Sequence, residues 1–519
     1  MTFSNRSNSG SGATESAHEI QPLQTSLAMN IRKAEEDLGR STDIIIREVR
    51  TRTFVVPSIA VLYTDGLADE KVINDFIMES FFLDITEEPV SSSSDLFQIV
   101  QDKAVTIGDI KTVTDFETLY HAILSGETVI LLDGHAVGVA VDTRGWKDRG
   151  VTESSTESAV RGPREAFSET LQTNTALIRR KIKDPNLWVE TRPIGRVTKT
   201  DVAIMFINGI ANDKVVEEVR RRLDRIDIDG IMESGYIEEL IQDETYTPFP
   251  TVFNSERPDI IASELLEGKV AILVDGTPFV LIVPALFVSF LHAAEDYYHR
   301  ADISSLVRML RYIGIFITLF APSLYVAITT FHQEMLPTPL LLGLAAQREG
   351  IPFPAFIEAL IMELAFEVLR EAGLRMPRAI GPAVSVVGTL IIGEASVEAG
   401  IVSAAMVIIV AITAISSFVF PAYSMSNTFR MLRFPMMGLA ASFGLFGIII
   451  GVIVIVLHLC SLRSFGVPYM SPFAPMIPAD QKDAIFRLPQ WALLSRPRLI
   501  SRNNAIRKRY SPPKPKPRK

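Results

Sequence analysis

Two glutamates four residues apart, Glu394 and Glu398, sit between apolar stretches. That spacing puts them on one face of a helix. An ionisable group at membrane depth is expensive and faces a water-filled path or a partner. In an oligomer each position makes a ring of carboxylates, a device that attracts cations. The bland alternative is that the pair ends a short span in headgroup water. With Gly388 and Gly393 beside them, they form the candidate ion pathway. Further upstream, Pro354–Arg370 reads as an amphipathic helix. At 100° per residue Glu363, Glu367 and Arg370 share a face, and Glu358 falls off it. Glu358 and Glu363 are therefore candidates for a pore or coupling helix, against the plainer reading of a solvated face. The helix is expected to lie on the outer surface or to dip in as a re-entrant element.

Other chemistry is poorly provided for. The seven histidines are scattered, and no Cys, His and carboxylate group has metal-ligand spacing. There is no phosphate-binding glycine loop and no G-x-S-x-G elbow. We expect no catalytic residue, no metal and no cofactor, so the chain is read as a non-enzyme. A net charge of −9 without a basic stripe argues against nucleic acid. The single cysteine, Cys460, excludes a disulfide framework within the chain.

The elements that must position those carboxylates divide the chain in two. Hydrophobic residues make up 48% of it, yet 21% are charged. Both hold because charge is frequent from Met1 to Arg311 and nearly vanishes in long blocks from Tyr312 to Leu462. Tyr312–Phe331 offers 20 uncharged residues, Phe434–Leu457 offers 24, and a third span fits within Gly400–Tyr423. Ala379–Gly393, with 15, is short for a span. Residues 482–519 carry 12 Lys or Arg against one acid, Asp483. By the positive-inside tendency that tail is cytoplasmic, as is an N-terminal half without a signal peptide. Two ends on one side require an even number of crossings, so four spans are expected. Glycines at 381, 388, 393 and 400, and at 438, 444, 447 and 451, permit close helix contact within the bundle or between subunits around a pore.

The soluble half contains an internal repeat. Ile59–Tyr63 followed by Asp65-Gly66 matches Val202–Ile207 followed by Asn208-Gly209, 143 residues on. Residues 127–134, ending in Asp133-Gly134, match 269–276, ending in Asp275-Gly276, 142 residues on. Each Asp-Gly suits a type I′ hairpin. The sequence thus reads as an α/β soluble region of two tandem related subdomains, followed by an all-α membrane bundle of about four transmembrane helices. The expected parts are a disordered tail at 1–39, a first subdomain at 40–150, a helical connector at 151–192 and a second subdomain at 193–287. A juxtamembrane helix at 288–311, the bundle at 312–462 and a basic tail at 463–519 complete it. Arg161, Arg164, Arg179 and Arg180 form a basic cluster that either is solvated and salt-bridged or touches anionic lipid.

The stretches RGPREAFSETLQTNTALIRRKIKDPNLW (161–188), IGRVTKTDVAIMFINGIAN (194–212), LLEGKVAILVDGTPFVLIVP (265–284) and GPAVSVVGTLIIGEASVEAGIVS (381–403) resemble the GerA family of bacterial spore germination proteins. The likeness extends from about Asp43 to Leu462. Within the family the chain is most similar to A subunits of nutrient germinant receptors, the GerK type in particular, through YTDGLADEKVINDFIMES (63–80); a SpoVAF-type relative is the alternative. The resemblance implies residence in the inner membrane of an endospore. It implies a transporter-like B subunit that binds the nutrient and a lipoprotein C subunit as partners. It further implies assembly into a homo-pentamer that conducts ions; Arg161, Arg164, Arg179 and Arg180 stand apart from it, as residues read from their charge as candidates for an oligomer or lipid contact.

Overall fold

The structure is a computed structural model that describes residues 21–49, 59–77, 109–145, 157, 161–376, 393–501 and 504–507. Two compact units divide the chain, one of residues 1–149 and 175–190, the other of 150–174 and 191–519.

The first unit is built on a sheet of β1 (Ile44–Val49), β2 (Ile59–Thr64), β3 (Ile110–Val113), β4 (Thr128–Leu132) and β5 (Gly138–Val141), in the order β1-β2-β4-β5-β3. Its strand pairs are antiparallel. The central strands β2 (IAVLYT) and β4 (TVILL) are buried at every position, which explains their unbroken apolar sequence. Helix α1 (Leu27–Asp37) lays Leu27, Ile31 and Ala34 on the same core as β2 and β4. It lies inside the segment expected to be a disordered tail. Its mean polarity hides it, because only one narrow stripe is apolar. Helix α2 (Glu70–Ile77) follows β2. Helix α3 (Phe116–Ile123) is started by Asp115, whose carboxylate accepts from Thr118 N–H at 2.8 Å.

The second sheet holds β6 (Leu187–Ile194), β7 (Thr200–Ile207), β8 (Phe253–Ser255), β9 (Val270–Val274) and β10 (Val280–Val283), in the order β6-β7-β9-β10-β8. Strand for strand this is the first order repeated. Ile59 pairs Leu132 in one sheet and Val202 pairs Val274 in the other, shifts of 143 and 142. Likewise Thr128 pairs Val141 and Val270 pairs Val283. The duplication therefore extends to hydrogen-bond register.

It extends to the preceding helix too. Asp133 accepts from Leu27 N–H at 3.0 Å, and Asp275 accepts from Leu171 N–H at 2.9 Å at the start of α4 (Leu171–Lys181). Hence α4 is the repeat counterpart of α1, where the sequence reading gave a separate connector. The Asp-Gly sites are not type I′ turns. Only Gly134 and Gly276 have positive φ, and each N–H donates to the loop before its helix, at Thr25 and Glu169. The aspartates serve as helix caps instead.

Around the second sheet stand α5 (Asp213–Asp224), α6 (Ser234–Ile241) and α7 (Pro258–Leu266). The expected juxtamembrane helix at 288–311 is broken into a 3-10 turn, Phe287–Leu291, and a short α8 (Glu295–Tyr298). The helical part follows: α9 (Ala301–Thr330), α10 (Thr338–Arg348), α11 (Ala355–Arg375), α12 (Ala404–Ser417) and α13 (Tyr423–Ser461). Helix α9 is long and apolar enough to cross a membrane, as is α13 when its whole length is counted across its break. The segment 379–392, with Gly381 and Gly388, lies outside the described residues.

The run expected as one span at Phe434–Leu457 is folded back on itself. Gly444 breaks α13 with φ 61° and ψ −141°. A Cβ on Gly451 would stand 2.4 Å from Met436 Sδ, although 15 residues of straight helix would separate the two by about 22 Å. The outer ends of both arms reach the second sheet's surroundings: Thr428 donates to Pro248 O, and His458 Nε2 lies 2.8 Å from Thr247 Oγ1. The tip at Gly444 meets Phe331 and His332, just past α9.

The described C-terminal residues, 463–501 and 504–507, expected as part of a basic tail, are packed. Ser464 Oγ donates to Thr251 O at 2.6 Å, Arg496 Nε to Leu266 O at 2.7 Å and Ser501 Oγ to Ile210 O at 2.8 Å.

Candidate functional site

Helix α11 carries a ladder of acids, and their partners come from three other segments of the same unit. At its first turn Glu358 is fully buried. Its Oε1 accepts from Ser403 N–H at 2.5 Å and from the Ser403 hydroxyl. Ser403 also caps α12 by accepting from Met406 N–H, and Tyr325 Oη lies 3.3 Å from its Oγ. Arg348 Nε, at the end of α10, stands 3.9 Å from Glu358 Oε2, a charge contact too long for a hydrogen bond.

Glu363 is also fully buried and accepts from Arg433 Nη1, itself 1% exposed. One turn further, Glu367 accepts from Nε of Arg430 at 2.8 Å and from its Nη2. The guanidinium of Arg370 then stacks over Phe418 and Tyr423, 5.8 and 5.3 Å from the ring centres. The acids at 363 and 367 meet arginines at 433 and 430, so α11 and the first arm of α13 run antiparallel. Arg433 and Arg430 pair directly with Glu363 and Glu367, and Arg348 stands 3.9 Å from Glu358, so each carboxylate has a cation near it, as a buried charge requires.

Glu363 and Glu367 are thus neither on an outer surface nor on a solvated face, and Glu358 is as buried as Glu363. The sequence reading missed Arg348, Arg430, Arg433, Tyr325 and Ser403. The signal for two of these was present: Arg430 and Arg433 are three apart, Glu363 and Glu367 four apart, and each pair forms one helical face.

The other candidates are distributed differently. Glu394 and Glu398 are exposed on a helical turn at 393–398. A Cβ on Gly393 would lie 3.7 Å from Val407, an ordinary contact. Gly388 is outside the described residues. Arg161 and Arg164 are exposed and Arg180 is half-buried. Arg179, grouped with them for oligomer or lipid contact, is 1% exposed and pairs bidentately with Asp43 at 2.7 and 3.0 Å, so its charge is spent inside the first unit. Among the described residues no group of three His, Cys, Asp or Glu is placed to hold a metal ion.

At the foot of α9 a second polar knot anchors the C-terminal segment. Arg308 donates to Asp296 at 2.9 Å and to Asp483 at 2.7 Å, and Arg311 donates to Asp296 at 2.7 Å. Both arginines are buried. Burial works to raise the carboxyl of Asp296, but Arg311 and Arg308 outweigh it and hold it below the usual range. Burial, with Arg308 nearby, pushes the imidazole of His292 down to about 4. Across a neighbouring cavity of about 120 Å³, Glu267 is pushed up to about 7 by desolvation, which Arg507 only partly offsets.

Residues 32–499 match the family model described as Bacillus/Clostridium GerA spore germination protein. The chain is 50% identical over 485 residues to spore germination protein KA of Bacillus subtilis (strain 168), covering 93% of this chain and 88% of that one. It is 44% identical to the uncharacterized membrane protein YfkQ of the same strain, covering 94% of each. It is 38% identical to spore germination protein GerLA of Bacillus cereus, covering 94% and 99%. Among solved structures, the N-terminal domain of the A subunit of the Bacillus megaterium spore germinant receptor GerK3 is 40% identical, with a TM-score of 0.42, covering 52% of this chain and 99% of that one. A family match over most of the chain, with relatives aligned nearly end to end, makes this protein a member of the GerA family of spore germination proteins.

Proposed function

We propose that this chain is the A subunit of a nutrient germinant receptor, and that its copies assemble, as a homo-pentamer, into a nutrient-gated cation channel of the spore inner membrane. The observation that carries this reading is the α11 ladder. Fully buried carboxylates in an otherwise apolar bundle are expensive, and such groups mark ion paths. Glu394 and Glu398, exposed and four apart, are free to form the cation-gathering rings. In this reading the chain crosses the membrane several times with both ends on the core side. A transporter-like B subunit holds the nutrient, a lipoprotein C subunit completes the receptor, and the tandem α/β subdomains receive the signal. Nutrient shifts the closed–open balance only by its difference in affinity for the two states, so coupling runs through subunit contact.

Potassium efflux from liposomes tests it, with the chain alone and with B and C subunits. Nutrient-dependent efflux is expected, with ion preference altered in Glu394→Gln. No efflux from an inserted oligomeric complex across a broad nutrient panel overturns the channel. One observation favours a second reading, a non-conducting scaffold: every carboxylate of the ladder already meets an arginine within the chain. A scaffold predicts normal receptor assembly and no efflux in any variant.

A further inference from the structure

The ladder is incompletely satisfied. Among the described residues, Glu358 Oε2, Arg348 Nε, Glu363 Oε1, Arg433 Nε, Thr318 Oγ1 and Ser323 Oγ are buried without a hydrogen-bond partner. Five of these six residues are at most 1% exposed. A buried polar atom without a partner is costly, and native proteins leave few of them. With Arg370 Nη1 there are seven among the described residues of the bundle, a concentration, and these atoms fall on adjoining elements. Glu358 and Glu363 are five residues apart on α11, about 7.5 Å of rise and about 140° of turn, so they face different neighbours. Ser323 and Thr318 lie on α9 between Gly314, which packs toward Ser416, and Tyr325, which meets Ser403. The 3.9 Å gap from Arg348 Nε to Glu358 Oε2 pairs an unused donor with an unused acceptor. A polar gap of that length is where a bridging water belongs.

We propose that the bundle of each single chain holds internal water at two sites along α11, one in the Glu358–Arg348 gap and one at the Glu363–Arg433 pair. The waters are held by carboxylate and guanidinium groups at once. The apolar outer faces of α9 and α13, with Phe316, Phe446 and Ile453 exposed, keep them apart from surrounding hydrocarbon. Both sites lie within one protomer and need no oligomer axis. They also stand or fall independently of the channel reading, because they concern where water resides, not what ions cross.

Hydroxyl radicals generated from water by a brief X-ray pulse oxidise side chains beside bound water. The full chain in nanodiscs would be labelled and read by peptide mass spectrometry. Met362, next to Glu363, and Tyr325 are 7% and 8% exposed; Met205, 0% exposed in β7, is the dry reference. Labelling of Met362 and Tyr325 at least several-fold faster than Met205 is expected. In Glu363→Leu/Arg433→Leu, which removes the lower polar rung, Met362 should fall to the Met205 rate while Tyr325 keeps most of its own. Equal, slow labelling of Met362, Tyr325 and Met205 in the parent chain overturns the proposal, whether or not the double variant folds. Fast labelling of Met362 that survives the double substitution overturns it too, since the water would then not be held by that rung.

Discussion

At the scale of residues, the Glu363–Arg433 pair separates two costs that a contact list merges. Removing one partner of a buried pair strands the other charge, at about 3–5 kcal/mol, whereas replacing both by apolar groups is often neutral or better. Glu363→Leu and Arg433→Leu singly should therefore each lower stability by about that much, and the double variant should return to within about 1–2 kcal/mol of the parent. Unfolding in detergent followed by circular dichroism checks this; an additive double variant would mean the two side chains do not interact. Glu267 gives a prediction about pH. Unfolded, a glutamate titrates at about 4.3; folded, desolvation pushes Glu267 to about 7. Between those values the folded chain holds the extra proton, so the stability contribution is full below about pH 4.3 and is lost as pH rises through 7. From pH 5 to pH 8 the parent should lose about 2–3 kcal/mol more than Glu267→Gln, in which the position no longer titrates. Melting temperatures of both chains at the two pH values decide it, and parallel curves would show that Arg507 already holds the carboxylate ionised. Neither effect was legible in the sequence. The helical wheel found which carboxylates share a face, but only the antiparallel register of α11 and α13 shows that the face is buried.

At the scale of elements, the hairpin in α13 depends on its glycines unequally. Gly444 has φ 61° with ψ −141°, a region essentially closed to side chains, and a Cβ there would come within 2.7 Å of His332. A Cβ on Gly447 would fall 2.2 Å from the backbone carbonyl oxygen of Leu439, which cannot swing aside. On Gly451 the obstacle is the end of the Met436 side chain, and Gly438 has open space. Alanine substitutions should therefore rank in damage as 444 and 447 first, 451 mild and 438 neutral, read as yield of monodisperse protein after detergent extraction. Equal tolerance at 447 and 438 would mean the arms do not fold against each other. The sequence shows such a site only in part. A run of 24 uncharged residues says that the segment is apolar, and glycines say that something approaches closely. A single residue reversing the chain leaves no mark on hydropathy, which is why one straight span was expected. By contrast, the sheets were readable because β2, β4, β7 and β9 are buried on both faces and so keep continuous apolar runs, with the repeat spacing fixing their equivalence. Helix α1 was lost because its polar face dominates its average.

At the scale of the whole molecule, the repeat and the C-terminal segment make opposite claims on the chain. The repeated sheets share order, register and helix caps, so each copy carries its own core. The second unit adds a closing strap that has no counterpart among the described residues of the first. Residues 463–501 and 504–507 return to it through Tyr469, which is fully buried, through Arg487 against the carbonyls of Tyr297 and His299, and through Arg496 and Ser501. Composition presents 482–519 as a basic tail, because positive charge dominates the count; yet Arg487 and Arg496 are buried and spend their donors on backbone carbonyl oxygens. Truncation tolerance follows buried hydrogen bonds, not distance from the terminus. Ending the chain at Arg507 should leave folding and membrane extraction unchanged. Ending it at Asp480 removes Asp483, and with it a charge partner of Arg308, together with the Arg496 and Ser501 bonds. That chain should lose the cooperative unfolding of the second unit and become open to limited proteolysis within residues 258–300, while the first unit keeps its protection. Equal protease resistance of the two truncations would show that the strap is merely laid on the surface. Selective opening of the second unit would show that a segment which composition marks as tail is part of its core.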